Sequence, residues 1–345
     1  MLNNGDGLSG IGLLGQQIAR RYRGLPDLSI AQDILAATIF LYPTVEAAEN
    51  GDKLGGSGVF VGAPFDDRAD LFALYAVTNW HVACNGGHSV IRCTDRNGQT
   101  KIIETDPIDW EFIPSGPDLA IWRMKGSYDV TFVPVVMFAA NEQDDIFIGE
   151  DVFMVGRFVD FDGKTTNRPA LRFGAVSLLN GAIKQPTGSS SPSHIVDMHS
   201  RTGYSGSPVY AYRPSGVVNP SVQMGIGISS DGTPPTRRKW GDGTQTMLKL
   251  LGIQWGQFPE VWEVKGKAAR PAEEAVLVTD GQFVSGFSGM SCVVPAHQIL
   301  RLLNIQLFRD KRRNAPPEAI MVPMPEIDYS FGPVTLNLET KTDEL

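Results

Sequence analysis

The sequence predicts an all-β protein of the barrel or sandwich kind, on three observations. Gly and Pro are abundant, 37 and 23 of 345 residues, which favours short strands joined by turns over long helices. From Ala37 onward, short stretches rich in β-branched and aromatic residues recur, bounded by Gly, Asp, Asn or Pro. No repeat with the period of a solenoid or helical array interrupts that series.

In chain order, LSGIGLLGQQIARRYR (8–23) reads as a weak amphipathic helix, with basic residues in the last turn where the helix dipole favours them. A first strand series follows: ATIFLYPTVEA, GSGVFVGAP, LFALYAVTN, HSVIRC, QTKIIE and DLAIWRM. A second comprises VTFVPVVMF, EDVFMVGRF, LRFGAVSLL, SHIVDMH, PVYAYR, KLLGIQWG and SCVVP. The segment AHQILRLLNIQLF then returns to helical spacing. Residues 213–248 read as a long Gly/Pro/Ser/Thr loop and 257–285 as a charged, irregular link, and the tail from about Arg309 is Pro-rich and then acidic.

The bulk properties narrow the function. A formal net charge of −8 argues against nucleic acid, which needs clustered cations; RDKRR (309–313) is too short to supply them. No apolar run has the length of a membrane span, and the first residues lack the order of a secretory leader. Three cysteines, Cys84, Cys93 and Cys292, fit reduced thiols and a cytoplasmic protein better than a disulfide framework, although sequence leaves a Cys84–Cys93 pair open. His88, His194 and His297 have no metal-ligand spacing and are read as structural, so no metal or cofactor is expected.

Two Ser-bearing turns raise the question of nucleophilic catalysis, RTGYSGSPVY (201–210) and GFSGMSCVVP (286–295). A hydroxyl needs a base within hydrogen-bond reach, a group to orient that base, and donors for the oxyanion. His81 follows an apolar strand directly and can project from its end; Asp118 stands at the mouth of the apolar strand DLAIWRM, where a carboxylate needs a partner. Ser205 is flanked by glycines, and the amides of Gly203 and Ser205 are candidates for an oxyanion hole. Taken singly, each also fits a bland role: His81 as a turn cap, Asp118 as a loop acceptor, GYSGSP as an ordinary turn.

Together the segments resemble a trypsin-fold serine peptidase of the bacterial HtrA/Deg-like branch. GSGVFVG with YAVTNWHVA is similar to that group's GSG strand and T-N-x-H-V motif, PDLAIW to its D-L-A-L strand, and GYSGSPVY to G-N-S-G-G-P. EDVFMVGR, RFGAVSLLNG and GMSCVVPAHQILRLL follow in the family's order, so the likeness runs from about residue 37 to 304. It implies two six-stranded antiparallel β-barrels packed perpendicular, with short helices at either end. The implied division is an extension over 1–36, one barrel over 37–128, a second barrel with its closing helix over 129–304, and a tail over 305–345.

The resemblance implies a catalytic triad of His81, Asp118 and Ser205, with the site between the barrels. It places Ser288 on the closing strand, away from the nucleophile's position. Substrate is implied to meet His199 at a pocket floor and Gln254, Trp255 and Gly256 along a wall strand, with MGIGISS (224–230) a rival for that wall; a histidine floor would favour an acidic or amide side chain. Tyr204 stands where trypsin-like zymogens carry aspartate, so clipping of residues 1–36 is not expected to be needed. Ser207 replaces the motif's second glycine, and too few residues follow the helix for a PDZ domain. The partner expected is a protein or peptide substrate, not nucleic acid or membrane, with room left for a regulatory protein. The competing readings are a peptide-binding module with little turnover and a latent peptidase switched on by a partner.

Overall fold

A computed structural model of the chain describes residues 28–65, 68–126, 128–139, 146–213, 247–263 and 283–305. The helix expected over 8–23, most of the 213–248 loop with its rival wall segment 224–230, and the tail beyond 305 lie outside the described residues.

The first half is built from β1 (Thr38–Tyr42), β2 (Gly56–Phe65), β3 (Arg68–Thr78), β4 (Val90–Thr94), β5 (Thr100–Ile103), β6 (Ala120–Arg123) and β7 (Val133–Pro134). The antiparallel order is β5-β4-β1-β2-β3-β6, with β7 parallel to β2. The two β-sheets fit the all-β, trypsin-like class expected; among the described residues the ladder path of this first sheet runs from β5 to β6, with β7 pairing β2 from beyond residue 128 and single bridges at Asp95–Val130 and Glu111–Ile121.

The second half comprises β8 (Asp151–Gly156), β9 (Ala170–Lys184), β10 (Ser190–Asp197), β11 (Pro208–Arg213), β12 (Met247–Glu263) and β13 (Phe283–Pro295). They form a closed six-stranded barrel, β10-β13-β12-β11-β8-β9, every pair antiparallel. Strands β12 and β13 continue through 257–263 and 283–285, where the sequence suggested an irregular link; the pairs Val261–Ser285 and Glu263–Phe283 extend the ladder past the apolar stretch that signalled it.

Period-two alternation fixes which face of each strand meets which core. In β2, Val59 and Val61 face one cluster and Phe60 the other; β3 divides Tyr75 and Val77 from Leu74 and Ala76 in the same way. The first cluster is shared between the halves, because Phe153 and Val155 of β8, Tyr210 of β11 and Ile253 of β12 pack into it. Two helices complete it. Helix α1 (Leu28–Ala37), which the strand-rich texture hid, contributes Ile34 and Leu35; α3 (Ala296–Leu303), starting after Pro295, contributes Ile299 and Leu302. A short α2 (Val45–Asn50) lies between β1 and β2. At about 1.5–3 kcal/mol for each large apolar side chain buried, this shared cluster holds the two halves in register, and the functional residues come from both.

Candidate active site

β3 ends at Thr78, and a π-helical turn spans His81–Asn85. The Asn79 carbonyl accepts from Val82 and Ala83, so the chain leaves the strand abruptly and swings His81 outward. Asp118 lies just before β6, with a fully buried side chain. Its Oδ2 is 2.6 Å from His81 Nδ1, and its Oδ1 accepts the His81 backbone N–H at 2.9 Å. A carboxylate facing Nδ1 makes that nitrogen the N–H donor and leaves Nε2 as the acceptor. The Asn79 side chain donates to the Asp118 carbonyl at 2.9 Å, so strand end, turn and acid are cross-braced within one half.

Ser205 comes from the loop before β11 and lines, with His81 and Gly203, a cleft of about 690 Å³. Two glycines shape this loop. Gly203 (φ +96°) and Gly206 (φ +88°) both take backbone conformations that side chains resist. A Cβ on Gly206 would sit 1.9 Å from the Ser57 carbonyl oxygen. The loop's amides then divide. Tyr204 N–H donates to Arg201 O, Gly206 N–H to Gln254 O and Ser207 N–H to Tyr204 O. Gly203 and Ser205 N–H meet no backbone acceptor among the described residues. Two such donors two residues apart, one of them the serine's own amide, are what an oxyanion site requires.

The loop is held from the other half. Ser57 of β2, fully buried, donates its N–H to Ser205 O at 2.7 Å and its hydroxyl to Gly203 O at 2.7 Å. Its hydroxyl also accepts the Arg157 N–H at 2.8 Å, and its carbonyl accepts the Thr78 hydroxyl at 2.7 Å. Behind this lies a buried charge knot. Arg157 and Arg92, both fully buried, face the Asp162 carboxylate at 2.7 and 3.6 Å and stack 4.2 and 4.7 Å from the Tyr42 ring centre. Arg157 also donates to the carbonyls of Leu54 and Asp52, which fixes the chain entering β2.

The remaining predicted residues divide. Gln254 and Gly256 line the cleft with Ser200 and Gln257. Gln254 Nε2 donates to Ser200 Oγ at 3.1 Å and Gly256 O at 3.0 Å. Trp255 turns its indole N–H to Ser193 Oγ at 3.2 Å. His199 is not part of the cleft lining; its ring sits where a Cβ on Gly289 would touch it at 2.8 Å, and its neighbour Ser200 faces the cleft instead. Ser288, on β13, bonds Phe258 O and Met290 N.

His88, read as structural, lines the same cleft as His81. Burial foremost, then the charges of Arg157 and His81, holds its imidazole below the ordinary value. His194 and His297 stay in the body of the second half, where burial lowers both. The three cysteines are free thiols; Cys84, beside the His81 turn, is pushed up to about 11 by burial and the Asp118 charge, which leaves it protonated. Among the described residues there is no group of side chains able to hold a metal ion, and no helix long and apolar enough to cross a membrane.

Sequence reasoning missed His88, Ser200 and Gln257 at the cleft and the buried Ser57 that holds the Ser205 loop. The GSG segment (56–58) was the available signal for Ser57; the others sit in no recognisable motif.

Comparison with known proteins bears on this geometry. No curated protein matches the chain. Among solved structures, the MamO protease domain of Magnetospirillum magneticum shares 14% identity, with 79% of this chain and 98% of that chain covered and a TM-score of 0.42. The HtrA-type protease AlgW with a decapeptide shares 15%, covering 75% and 51%, at 0.35. An inactive serine-to-alanine form of Rv3671c from M. tuberculosis H37Rv shares 14%, covering 78% and 86%, at 0.36. Over residues 56–218, the segment that holds His81, Asp118 and Ser205, the chain matches the trypsin-like peptidase domain.

Proposed function

We propose that the protein is a serine endopeptidase that cleaves protein or peptide substrates through an acyl-enzyme on Ser205. The observation that carries this is a constellation: a 2.6 Å His81–Asp118 contact opening onto a cleft where Ser205 presents its own amide and that of Gly203 without a backbone acceptor among the described residues. With Nδ1 engaged by Asp118, His81 Nε2 takes the Ser205 proton as Oγ attacks the scissile carbonyl carbon. The carbonyl oxygen becomes an oxyanion facing Gly203 and Ser205 N–H. Collapse breaks the C–N bond, the amine leaves with the proton from His81, and the acyl group stays on Ser205. Water repeats the cycle with the same base and frees the acid. Asp118 holds the imidazole's tautomer and stabilises its cationic form without taking the proton.

The side chain before the scissile bond is read by Ser200, Gln254, Gln257 and Gly256. This is a neutral, amide-rich wall. No cofactor enters this scheme.

A fluorophosphonate probe on the full-length chain tests the reading. Ser205 is expected to carry the adduct, and Ser205→Ala to carry none. A folded protein that stays unlabelled, alone and with added candidate partners, would favour a peptide-binding module instead.

A further inference from the structure

We propose that Gln185 is a positioning residue for Asp118, acting from the opposite half of the molecule and tying the acid to the strand that bears Trp255. The proposal rests on the serine peptidase reading for its catalytic consequence, but its structural content stands apart from it.

Gln185 sits at the tip of the β9–β10 hairpin in the second half. The tip is a closed turn: Gln185 N–H donates to Ser189 O at 2.8 Å and its carbonyl accepts Gly188 N–H at 2.9 Å. The side chain is buried, 3% exposed, and spans the gap between the halves. Its Oε1 accepts the Asp118 backbone N–H at 2.6 Å. Its Nε2 donates to Ser193 Oγ at 3.0 Å, with Ser191 O and Pro192 O at 3.4 Å. The chemistry fixes the amide's orientation. A backbone N–H can only donate, so the atom facing Asp118 is the oxygen, and the nitrogen then faces acceptors. Ser193 Oγ also receives the Trp255 indole N–H, which closes a chain from Asp118 through Gln185 and Ser193 to Trp255.

The need for such a residue follows from Asp118's position. His81 occupies both carboxylate oxygens, and Asn79 takes its carbonyl. Its own N–H is left inside a site where the side chain is fully buried. An unpaired buried N–H is costly, and the loop before β6 has no strand partner there to absorb it. Gln185 supplies the acceptor, which fixes the rotation of the peptide plane that leads into Asp118. Thr187, two residues on, grips the same loop by donating to Gly116 O at 2.7 Å, but reaches no atom of Asp118. The hairpin therefore carries one clasp on the loop and one on the acid itself, and the two can be separated.

The test uses the full-length chain with a Ser205→Ala background, so that it needs no turnover. The readout is the low-field proton resonance of His81 Nδ1–H, assigned by its loss in His81→Gln. Gln185→Met, an apolar near-isostere, is expected to broaden or displace that resonance; Thr187→Val is expected to leave it in place. Ser193→Ala, a milder change that frees the amide to turn, moves the resonance in the same direction by less, and decides the matter if Gln185→Met does not fold. With Ser205 restored, Gln185→Met is expected to slow probe labelling about ten-fold or more, since small misplacements of catalytic groups cost this much. An unchanged resonance in both Gln185→Met and Ser193→Ala overturns the proposal. So does equal loss in Thr187→Val, or a parent protein with no such resonance, in which there is no ordered pair to hold. A resonance that responds to Gln185 in a chain whose Ser205 never labels would keep the positioning role and discard the peptidase reading.

Discussion

The two halves contribute to the cleft in unlike ways. The first delivers His81 and Asp118 bonded to each other and braced by Asn79 and by the turn at residues 81–85, with the Gln185 side chain the one clasp on Asp118 from the second half. The second delivers Ser205 on a loop whose carbonyls at 203 and 205 are held by Ser57, a residue of the first half. The direct His81–Asp118 bonds lie within one half, and a shift between the halves reaches them only through Gln185. The Ser205 loop takes both of its Ser57 tethers from across the interface, so the geometry of nucleophile and oxyanion donors reports most directly whether the halves are docked. The shared apolar cluster between β2, β3, β8, β11 and β12 is what keeps them so.

Breaking the local pair tests chemistry with the least structural disturbance and should give the largest effect. Asp118→Asn is expected to lower probe labelling about 10⁴-fold with little change in melting temperature, because the wrong His81 tautomer is then favoured. A fall of less than ten-fold would mean that the 2.6 Å contact has no catalytic part. Next comes the imported loop. Gly206→Ala places a methyl against Ser57 O and Thr78 Oγ1 at a positive φ, so the backbone itself must move. Labelling should fall about a hundred-fold or more, while the low-field His81 resonance persists. That dissociation is the signature of one half damaged and the other intact.

Ser57→Ala is the finer cut. It leaves the backbone bond to Ser205 O but unpairs the Gly203 carbonyl and the Arg157 N–H. Denaturant unfolding should show a loss of roughly 1–3 kcal/mol. Labelling should slow by about ten-fold, less than for Gly206→Ala because one of the two tethers remains. Equal labelling rates for Ser57→Ala and the parent chain would show that the loop keeps its shape by itself, and the contrast between the halves would collapse.

The parts legible in the sequence were those that depend on neighbours along the chain. Alternation marked the strands, and the ordered segments around His81, Asp118 and Ser205 marked the candidate residues that the fold brings to one region, since strand ends and tight turns leave Gly and small residues at fixed spacing. Contacts made across the interface left little trace. Gln185 looks like any polar residue in a hairpin tip, and its meaning comes only from the Asp118 N–H that folding brings to it. His88 was read as structural because no ligand spacing marked it, yet the turn after His81 carries it to the cleft. The His199 ring lies beside Gly289 and its neighbour Ser200 lines the cleft, a distinction of one residue that sequence order does not carry. The pairing of the short strands β5, β6 and β7 was likewise faint, because strand propensity says little about which edges meet.

The effect expected to touch labelling least concerns stability rather than rate, and it sits in the second half. His194 on β10 is 5% exposed and accepts the Asn180 N–H at Nδ1, 3.1 Å away. Burial first, and the His297 charge second, bring its imidazole down to about 4. The unfolded chain takes up this proton near the ordinary value of about 6.5, while the folded barrel does not until about pH 4. The contribution to stability is therefore full above about pH 6.5 and is lost progressively as the pH falls from there towards 4, by roughly 3 kcal/mol in all. His194→Gln keeps an acceptor for Asn180 and removes the titration, so the parent's decline in unfolding free energy over that window should flatten in the variant. An identical decline in both would place the acid sensitivity elsewhere, His88 in the cleft being the next group to test, since burial and the Arg157 charge lower it as well. That outcome would move the weak point from the interior of the second barrel to the junction between the halves.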